Sequence, residues 1–498
     1  MNLLDRIHRH AVVRPQQTAL AWRGGSLSYA GLAAEVEAAT LALWEAGAGV
    51  VALDLANGPA WVALDIAALQ LDICVVPLPP FFSPEQLRHA LRQAGVQLII
   101  SDDARRLRGR LGTLLDAGET PLELAGGALT AVAMRQATPA DGSAPPAGVH
   151  KITFTSGTTG APKGVTLSWG QMHRVVTSLA AVTEMDSADR HLSLMPLAVL
   201  LENVGGVYLP LWVGATSVLL PARDVGMGGS SRSEPSRMVA ALAEVGATTT
   251  ILTPQLLLGL VETLEANPDV RLKLRFAALG GAAVSPRLLR RAAELELPVF
   301  EGYGLSECAS VVSLNGPAAH RPGSVGKPLP HVRLRIADDG LIMVGGASCA
   351  GYLAEQASAA DEWPTGDLGE LDADGYLYLH GRLRDVFITS YGRNVAPEWV
   401  ERELSLEPAI AQAAVFGEAR PYNVAVVVPA PWAESGDVAA AIARANRSLP
   451  DYARVARWAA AADPFAPANG LLTANGRIRR EALARRYHPI IQSLYREA

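Results

Sequence analysis

The sequence predicts an α/β protein of at least two domains, and three observations carry that prediction. The chain has 498 residues, 49% of them hydrophobic and 18% charged, which supplies apolar side chains for several cores. From Ser28 to Ile100, short apolar runs alternate with helix-like stretches, the pattern of parallel βαβ units. The apolar Ile152-Thr-Phe154 then runs directly into Thr155-Ser-Gly-Thr-Thr-Gly-Ala-Pro-Lys-Gly164, where eight of ten residues are Ser, Thr, Gly or Lys. Glycine lets backbone N–H groups turn toward an anion, the hydroxyls add donors, and Lys163 adds a full charge. Such a loop is suited to phosphate.

The composition excludes several classes. A formal charge of −6 gives no reason to expect nucleic acid or an anionic membrane as partner. Cys74, Cys308 and Cys349 form no CxxC pair, which suits a reducing compartment. The N-terminal Met1-Asn-Leu-Leu-Asp-Arg-Ile-His-Arg-His10 carries charges where a signal peptide is apolar, and Asp54, Asp65 and Asp72 interrupt the most apolar region, Val51 to Pro80. A cytoplasmic enzyme with no membrane span is expected.

Taken in order, Tyr29 to Ala46 is helix-like, and Val50 to Leu55, Ile73 to Leu78 and Val96 to Ile100 are strand-like. A helix over Ser83 to Ala94 has a serine cap and a proline in its first turn. Arg105-Arg-Leu-Arg-Gly-Arg110 reads as a solvated helix face, with no aromatic residue interleaved. Gln136 to Gly148 and Val225 to Ser236 read as surface loops. Beyond them come a helix over Arg237 to Val245 and strands over Thr248 to Leu252 and Phe276 to Leu279. Near the C-terminus follow helices over Glu398 to Leu404 and Asp437 to Ser448, with strands over Ala411 to Phe416 and Val424 to Val428.

The loop at 155–164 is not a Walker A loop, because Lys163 stands between Pro162 and Gly164 rather than in a Gly-Lys-Ser/Thr ending. It resembles the signature loop of the adenylate-forming superfamily, which includes acyl-CoA synthetases, peptide-synthetase adenylation domains and luciferases. Further motifs of that family occur in order. These are Gly280-Gly-Ala-Ala-Val-Ser-Pro286, Glu301-Gly-Tyr-Gly-Leu-Ser-Glu307, Arg321-Pro-Gly-Ser-Val-Gly-Lys-Pro328, Gly351-Tyr352, Thr365-Gly-Asp367, Gly381-Arg-Leu-Arg384 and Asn475-Gly-Arg477.

The resemblance implies a large N-terminal domain of βα subdomains with a distorted barrel, residues 1–383, and a small mobile α+β domain, residues 384–498. It implies that Thr155, Ser156, Gly157, Thr158, Thr159, Gly160 and Lys163 hold ATP phosphates, with Gly281, Ala282, Glu301, Gly302, Tyr303 and Ser306 completing the nucleotide site. Tyr303 stacks on adenine, Asp367 takes the ribose hydroxyls beside Arg382, and Arg393 reaches a phosphate. Glu307 holds Mg²⁺, a role suited to a carboxylate because a hard cation prefers oxygen. Lys163, Glu307 and Arg477 form the catalytic set, and Arg384 is the hinge. At the position of Arg477 the family has lysine; arginine keeps the charge but is planar and longer.

The family's aromatic-His pair is replaced by Ala198 and Val199, and Leu201 stands near the place where amino-acid-activating relatives carry an aspartate. A buried ammonium beside leucine is costly, so an acid without an α-amino group is expected. Leu200, Val204, Gly280 and Val311 are candidates to line the acyl site, a pattern that core packing produces equally well. The implied activity joins a carboxylic acid, hydrophobic and of fatty type, to a thiol at the expense of ATP. The thiol is coenzyme A or the phosphopantetheine of an acyl carrier protein. A nucleotide-binding sensor or scaffold of the same fold with little turnover is the alternative.

Overall fold

The computed structural model describes residues 2–135, 145, 147–155, 162–228, 234–346, 351–353, 362–473 and 476–496. They form two compact units. The first comprises Met1–Gly281, Ala292–Leu334 and Val344–Trp363; the second comprises Ala282–Arg291, Arg335–Met343 and Pro364–Ala498.

Two large sheets organise the first unit among the described residues. One has the strand order Thr120–Leu124, Gly127–Ala133, Leu98–Ser101, Val50–Asp54, Cys74–Pro77, Lys151–Thr155, Lys163–Leu167. Its centre is parallel and its margins are antiparallel. Every residue of the central strand Val50–Asp54 is buried, as expected where helices cover both faces of a parallel sheet. The other sheet builds its parallel core from Thr18–Trp22, Thr216–Leu219, Arg190–Leu192, Thr249–Leu252, Phe276–Leu279 and Val299–Tyr303, and Ser313–Leu314 and Lys327–Pro328 extend it antiparallel.

Local chemistry explains the helix ends. Ser28 accepts the Gly31 N–H at the start of Tyr29–Ala46, and Gly47 ends that helix at φ +62°, a left-handed conformation that suits glycine. Ser83 and Gln86 cap each other at the start of Pro84–Gln93. Helix Pro59–Gln70 is buried nearly all round, which is why its apolar run shows no amphipathic period. Its Asp65 meets the fully buried Lys151 at 2.8 Å, and Asn203 and Tyr208 complete that network. No described helix is long and apolar enough to cross a membrane.

In the arginine-rich helix Ala104–Leu111, Arg105 and Arg106 are exposed, in line with a solvated face, but three of its arginines also make specific contacts. Arg106 pairs with buried Asp54 and with Asp102, Arg108 pairs with Glu119, and Arg110 donates to the Phe82 carbonyl. The loop reading over Val225 to Ser236 also overshoots, because helix Pro235–Glu244 begins inside it.

In the second unit, strand Asn423–Pro429 pairs antiparallel with Ile410–Phe416 and parallel with Val455–Ala460. Its alternate residues face two cores. Ala425 and Val427 pack with Val400, Leu404, Val438 and Ile442 from helices Pro397–Ser405 and Ser435–Asn446, while Val424, Val426 and Val428 pack with Leu483, Tyr487 and Ile491. A strand covered on both faces reads as an unbroken apolar run, as this one does.

Candidate functional site

The predicted phosphate loop joins two antiparallel strands, Lys151–Thr155 and Lys163–Leu167, whose last and first residues, Thr155 and Lys163, stand opposite each other. The expected phosphate contacts Ser156, Gly157, Thr158, Thr159 and Gly160 lie outside the described residues. On the C-terminal side the loop is held by His89, whose Nε2 lies 3.0 Å from the Pro162 carbonyl. A Cβ at Gly164 would fall 3.0 Å from Ile152 Cγ2 and 3.1 Å from Phe154 Cζ, so glycine lets the two strands close here.

Strand Lys163–Leu167 also delivers the next side chain. Leu353 N–H donates to the Gly164 carbonyl at 2.7 Å, Thr166 Oγ1 donates to the Gly351 carbonyl at 2.9 Å, and Tyr352 lies opposite Val165. The Tyr352 ring is thereby set beside Lys163, with Nζ 4.6 Å from its centroid, within cation–π range. At its other end the Tyr352 hydroxyl donates to Glu307 Oε1 at 2.8 Å. One tyrosine thus spans two residues of the expected catalytic set. Gly351-Tyr352 is visible in the sequence as a family turn, but nothing there marks Tyr352 as the link between Lys163 and Glu307.

Glu307 and Ser306 sit on a single 3₁₀ turn, Ser306–Cys308, between strands Val299–Tyr303 and Ser313–Leu314. The turn is forced tight. Ala309 and Ser310 both have positive φ, +55° and +101°, and a Cβ at Gly304 would fall 1.7 Å from the Ser310 carbonyl oxygen. Backbone in sparsely populated regions concentrates at functional sites. Glu301 is buried, and its Oε2 accepts the Gly323 N–H at 2.7 Å, while Asn315 Nδ2 donates to the Glu301 and Ser324 carbonyls. Its carboxylate therefore fastens the 321–324 turn to strand Val299–Tyr303.

On the expected acyl side, Asn57 clamps the chain at both atoms of its amide, donating to the Met195 carbonyl at 2.9 Å and accepting the Leu197 N–H at 2.8 Å. Leu200, Val204 and Val311 are buried in one apolar cluster. Gly280, Gly302 and Leu201 adjoin one another: a Cβ at Gly280 would fall 3.7 Å from the Gly302 carbonyl oxygen and 3.9 Å from Leu201 Cδ2. Glu202 is fully buried, and its carboxylate accepts the Met195 N–H and lies 3.1 Å from His191 Nε2. Residues Asn203–Tyr208 continue as a π-helical segment, a form often found at functional sites.

In the second unit, Asp367 and Arg382 face each other across paired strands, and Arg382 Nε lies 3.0 Å from Asp367 Oδ1. Thr365 Oγ1 accepts the Asp367 N–H at 3.1 Å and donates to the Ile342 carbonyl, which fixes the approach. Arg384 is half exposed, 3.8 Å from Asp385. Arg393 is exposed at a turn in which its N–H donates to Thr389 Oγ1 at 3.2 Å. Arg477 is also exposed, on a turn closed by Thr473 N–H to the Arg477 carbonyl at 2.7 Å. Gly281 has φ +86°, and both Gly281 and Ala282 are exposed.

Among the described residues no three His, Cys, Asp or Glu side chains converge as a metal cage. The half-buried carboxylate of Glu307, linked to Lys163 through Tyr352, would suit a Mg²⁺ ion, a hard cation that takes oxygen ligands.

Comparison with known proteins yields matches along most of the chain. A family model described as AMP-binding enzyme matches residues 7–353, and one described as AMP-binding enzyme C-terminal domain matches residues 384–498. The chain is 28% identical to a long-chain-fatty-acid–CoA ligase of Mycobacterium bovis, covering 87% of this chain and 86% of that one. It is 30% identical to an indoleacetate–CoA ligase of Aromatoleum aromaticum, covering 86% and 88%. Among solved structures, an anthranilate CoA ligase in complex with anthranoyl-AMP superposes with a TM-score of 0.79 at 21% identity, covering 98% of this chain and 97% of the other. The amide bond synthetase McbA of Marinactinospora thermotolerans superposes with a TM-score of 0.75 at 26% identity, covering 97% and 99%.

Proposed function

The chain belongs to the AMP-binding enzyme family and is an AMP-forming acid–thiol ligase; from that membership we propose that it activates a hydrophobic, fatty-type carboxylic acid with ATP and passes the acyl group to coenzyme A. The observation that carries the site is the Lys163–Tyr352–Glu307 arrangement at the end of the loop. In the first half-reaction a carboxylate oxygen attacks the α-phosphorus of ATP, the bond to the bridging oxygen breaks, and pyrophosphate leaves. In the second, a thiol sulfur attacks the acyl carbon, AMP leaves with the bonding electrons, and the thiol proton passes to solvent.

Both partners of the first half-reaction are anions, so positioning and cations lower the barrier. Thr155 and Lys163 would orient phosphate, Tyr303 the adenine, Asp367 and Arg382 the ribose, and Arg393 a phosphate. Glu307 would hold Mg²⁺, which supplies charge neutralisation on the phosphates. Arg477 would neutralise the carboxylate and α-phosphate together, and rotation about Arg384 would separate the two halves. A domain boundary between residues 383 and 384 is supported by the start of the C-terminal-domain match.

Two observations support an apolar acid without an α-amino group. Leu201 lies beside Gly280, and the Glu202 carboxylate is engaged with His191 and the Met195 N–H rather than open to an ammonium. Leu200, Val204, Gly280 and Val311 would line the acyl side. The fatty-acid ligase relative favours a long chain, and the indoleacetate relative makes an aryl acid the competing outcome.

The test is ATP–pyrophosphate exchange across fatty, aryl and amino acids, with thioester formation scored separately on coenzyme A and on a phosphopantetheinylated carrier protein. Exchange fastest with a fatty acid and thioester on coenzyme A are expected. Exchange confined to amino acids overturns the substrate class. Tight ATP binding with no exchange favours a sensor or scaffold, a reading motivated by Arg477 in the lysine position.

A further inference from the structure

Arg480, three residues beyond Arg477, leaves the surface for the interior of the second unit. Its guanidinium forks onto Glu401, Nη1 to Oε1 at 2.7 Å and Nη2 to Oε2 at 3.0 Å, and Nη1 also donates to the Val415 carbonyl at 3.0 Å. Glu401 Oε1 accepts the Val415 N–H at 2.8 Å, which closes the ring. The group therefore ties helix Pro397–Ser405 and strand Ile410–Phe416 to the chain directly after the Arg477 turn. Asp385 and Glu398 also direct negative charge at Arg480. A planar fork matched to one carboxylate holds direction as well as distance, which an ammonium does not.

Among the described residues the turn is also held by its own bonds, Gly476 N–H to the Thr473 carbonyl at 2.9 Å and Arg477 N–H to Thr473 Oγ1 at 3.0 Å. Leu472 pairs with Ile478, Arg479 N–H donates to the Leu471 carbonyl at 2.9 Å, and Arg477 is exposed.

We infer that Arg480 and Glu401 are positioning residues for Arg477: the partly buried ion pair anchors the chain that leaves the turn presenting Arg477 in the adenylation half-reaction. This rests on the proposed function. It also predicts selectivity, since the carboxylate and the α-phosphate need joint neutralisation only before the phosphorus–oxygen bond forms. The thioester half-reaction should then be indifferent to the pair.

The test uses the full chain, first with hexadecanoate, indole-3-acetate and ferulate, and then with whichever acid the unmodified protein activates fastest. Arg480→Met combined with Glu401→Gln removes both members of the pair, while Asp385 and Glu398 lose the guanidinium's charge, and thermal unfolding checks that the variant is folded. Expected is a loss of about 10²-fold in pyrophosphate exchange, the scale of a small misplacement of a catalytic group, with coenzyme A thioester formation from chemically prepared acyl adenylate retained. Arg480→Lys, which keeps the charge and loses the fork, should fall between. Equal losses in both half-reactions reduce the pair to a structural role, and full exchange removes the proposal altogether. No exchange by the unmodified chain with any of the three acids instead strikes at the functional reading, a result distinguishable because no variant is involved.

Discussion

The hydroxyl of Tyr352 donates a 2.8 Å hydrogen bond to Glu307 while the same ring lies 4.6 Å from Lys163 Nζ. Hydrogen bonds to charged groups contribute about 1.5–3 kcal/mol. Tyr352→Phe is therefore expected to slow adenylation roughly 10- to 100-fold and to raise the Mg²⁺ concentration needed for half-maximal exchange. Magnesium titration of pyrophosphate exchange measures it, and an unchanged titration would show that the tyrosine does not orient Glu307.

Gly304 has no room for a side chain, because a Cβ would sit 1.7 Å from the Ser310 carbonyl oxygen. Gly304→Ala must displace the turn that carries Ser306 and Glu307. Loss of Mg²⁺-dependent nucleotide binding by calorimetry, with the bulk of the fold retained by circular dichroism, is the expected outcome.

Asp367 faces Arg382 across paired strands. If its carboxylate takes the ribose hydroxyls, Asp367→Asn should raise KM for ATP by roughly tenfold or more, the scale of a charge-assisted hydrogen bond. The same variant should discriminate less against 2′-deoxy-ATP. Retained discrimination would remove Asp367 from the ribose site.

The Lys151–Asp65 pair is wholly buried, and burial depresses the lysine's pKa. Removing one partner strands a charge. Asp65→Asn should cost about 3–5 kcal/mol, and replacing both partners with apolar residues should cost much less. Urea unfolding of the single and double variants compares them.

Burial and the nearby Arg174 push His331 down to about 4 from 6.5. Its native form is neutral where the unfolded form is protonated, so between those values the unfolded state binds more protons. Stability should therefore fall as pH drops from 6.5 toward 4. A thermal-melt series should show this decline, and His331→Gln should flatten part of it.

Much of this was legible in the residues. The helix over Tyr29–Ala46 and the strand over Phe276–Leu279 match their predicted bounds, because a serine cap, a left-handed glycine and an unbroken apolar run are local signals. The roles of the arginines were not. Arg106, Arg108 and Arg110 read as a solvated face with no assigned partners, yet each finds one that folding brings near.

Motif order along the chain sufficed for the α/β class and the family, since each depends on residue type and near neighbours. Contacts between distant segments were settled by the fold alone. Pairing of residues 351–353 with strand Lys163–Leu167 sets Tyr352 between Lys163 and Glu307, and Arg480 reaches Glu401 across 79 positions of sequence. A hydrogen bond acts over a few ångströms of space, and no local pattern in a sequence records which remote residues will come that close.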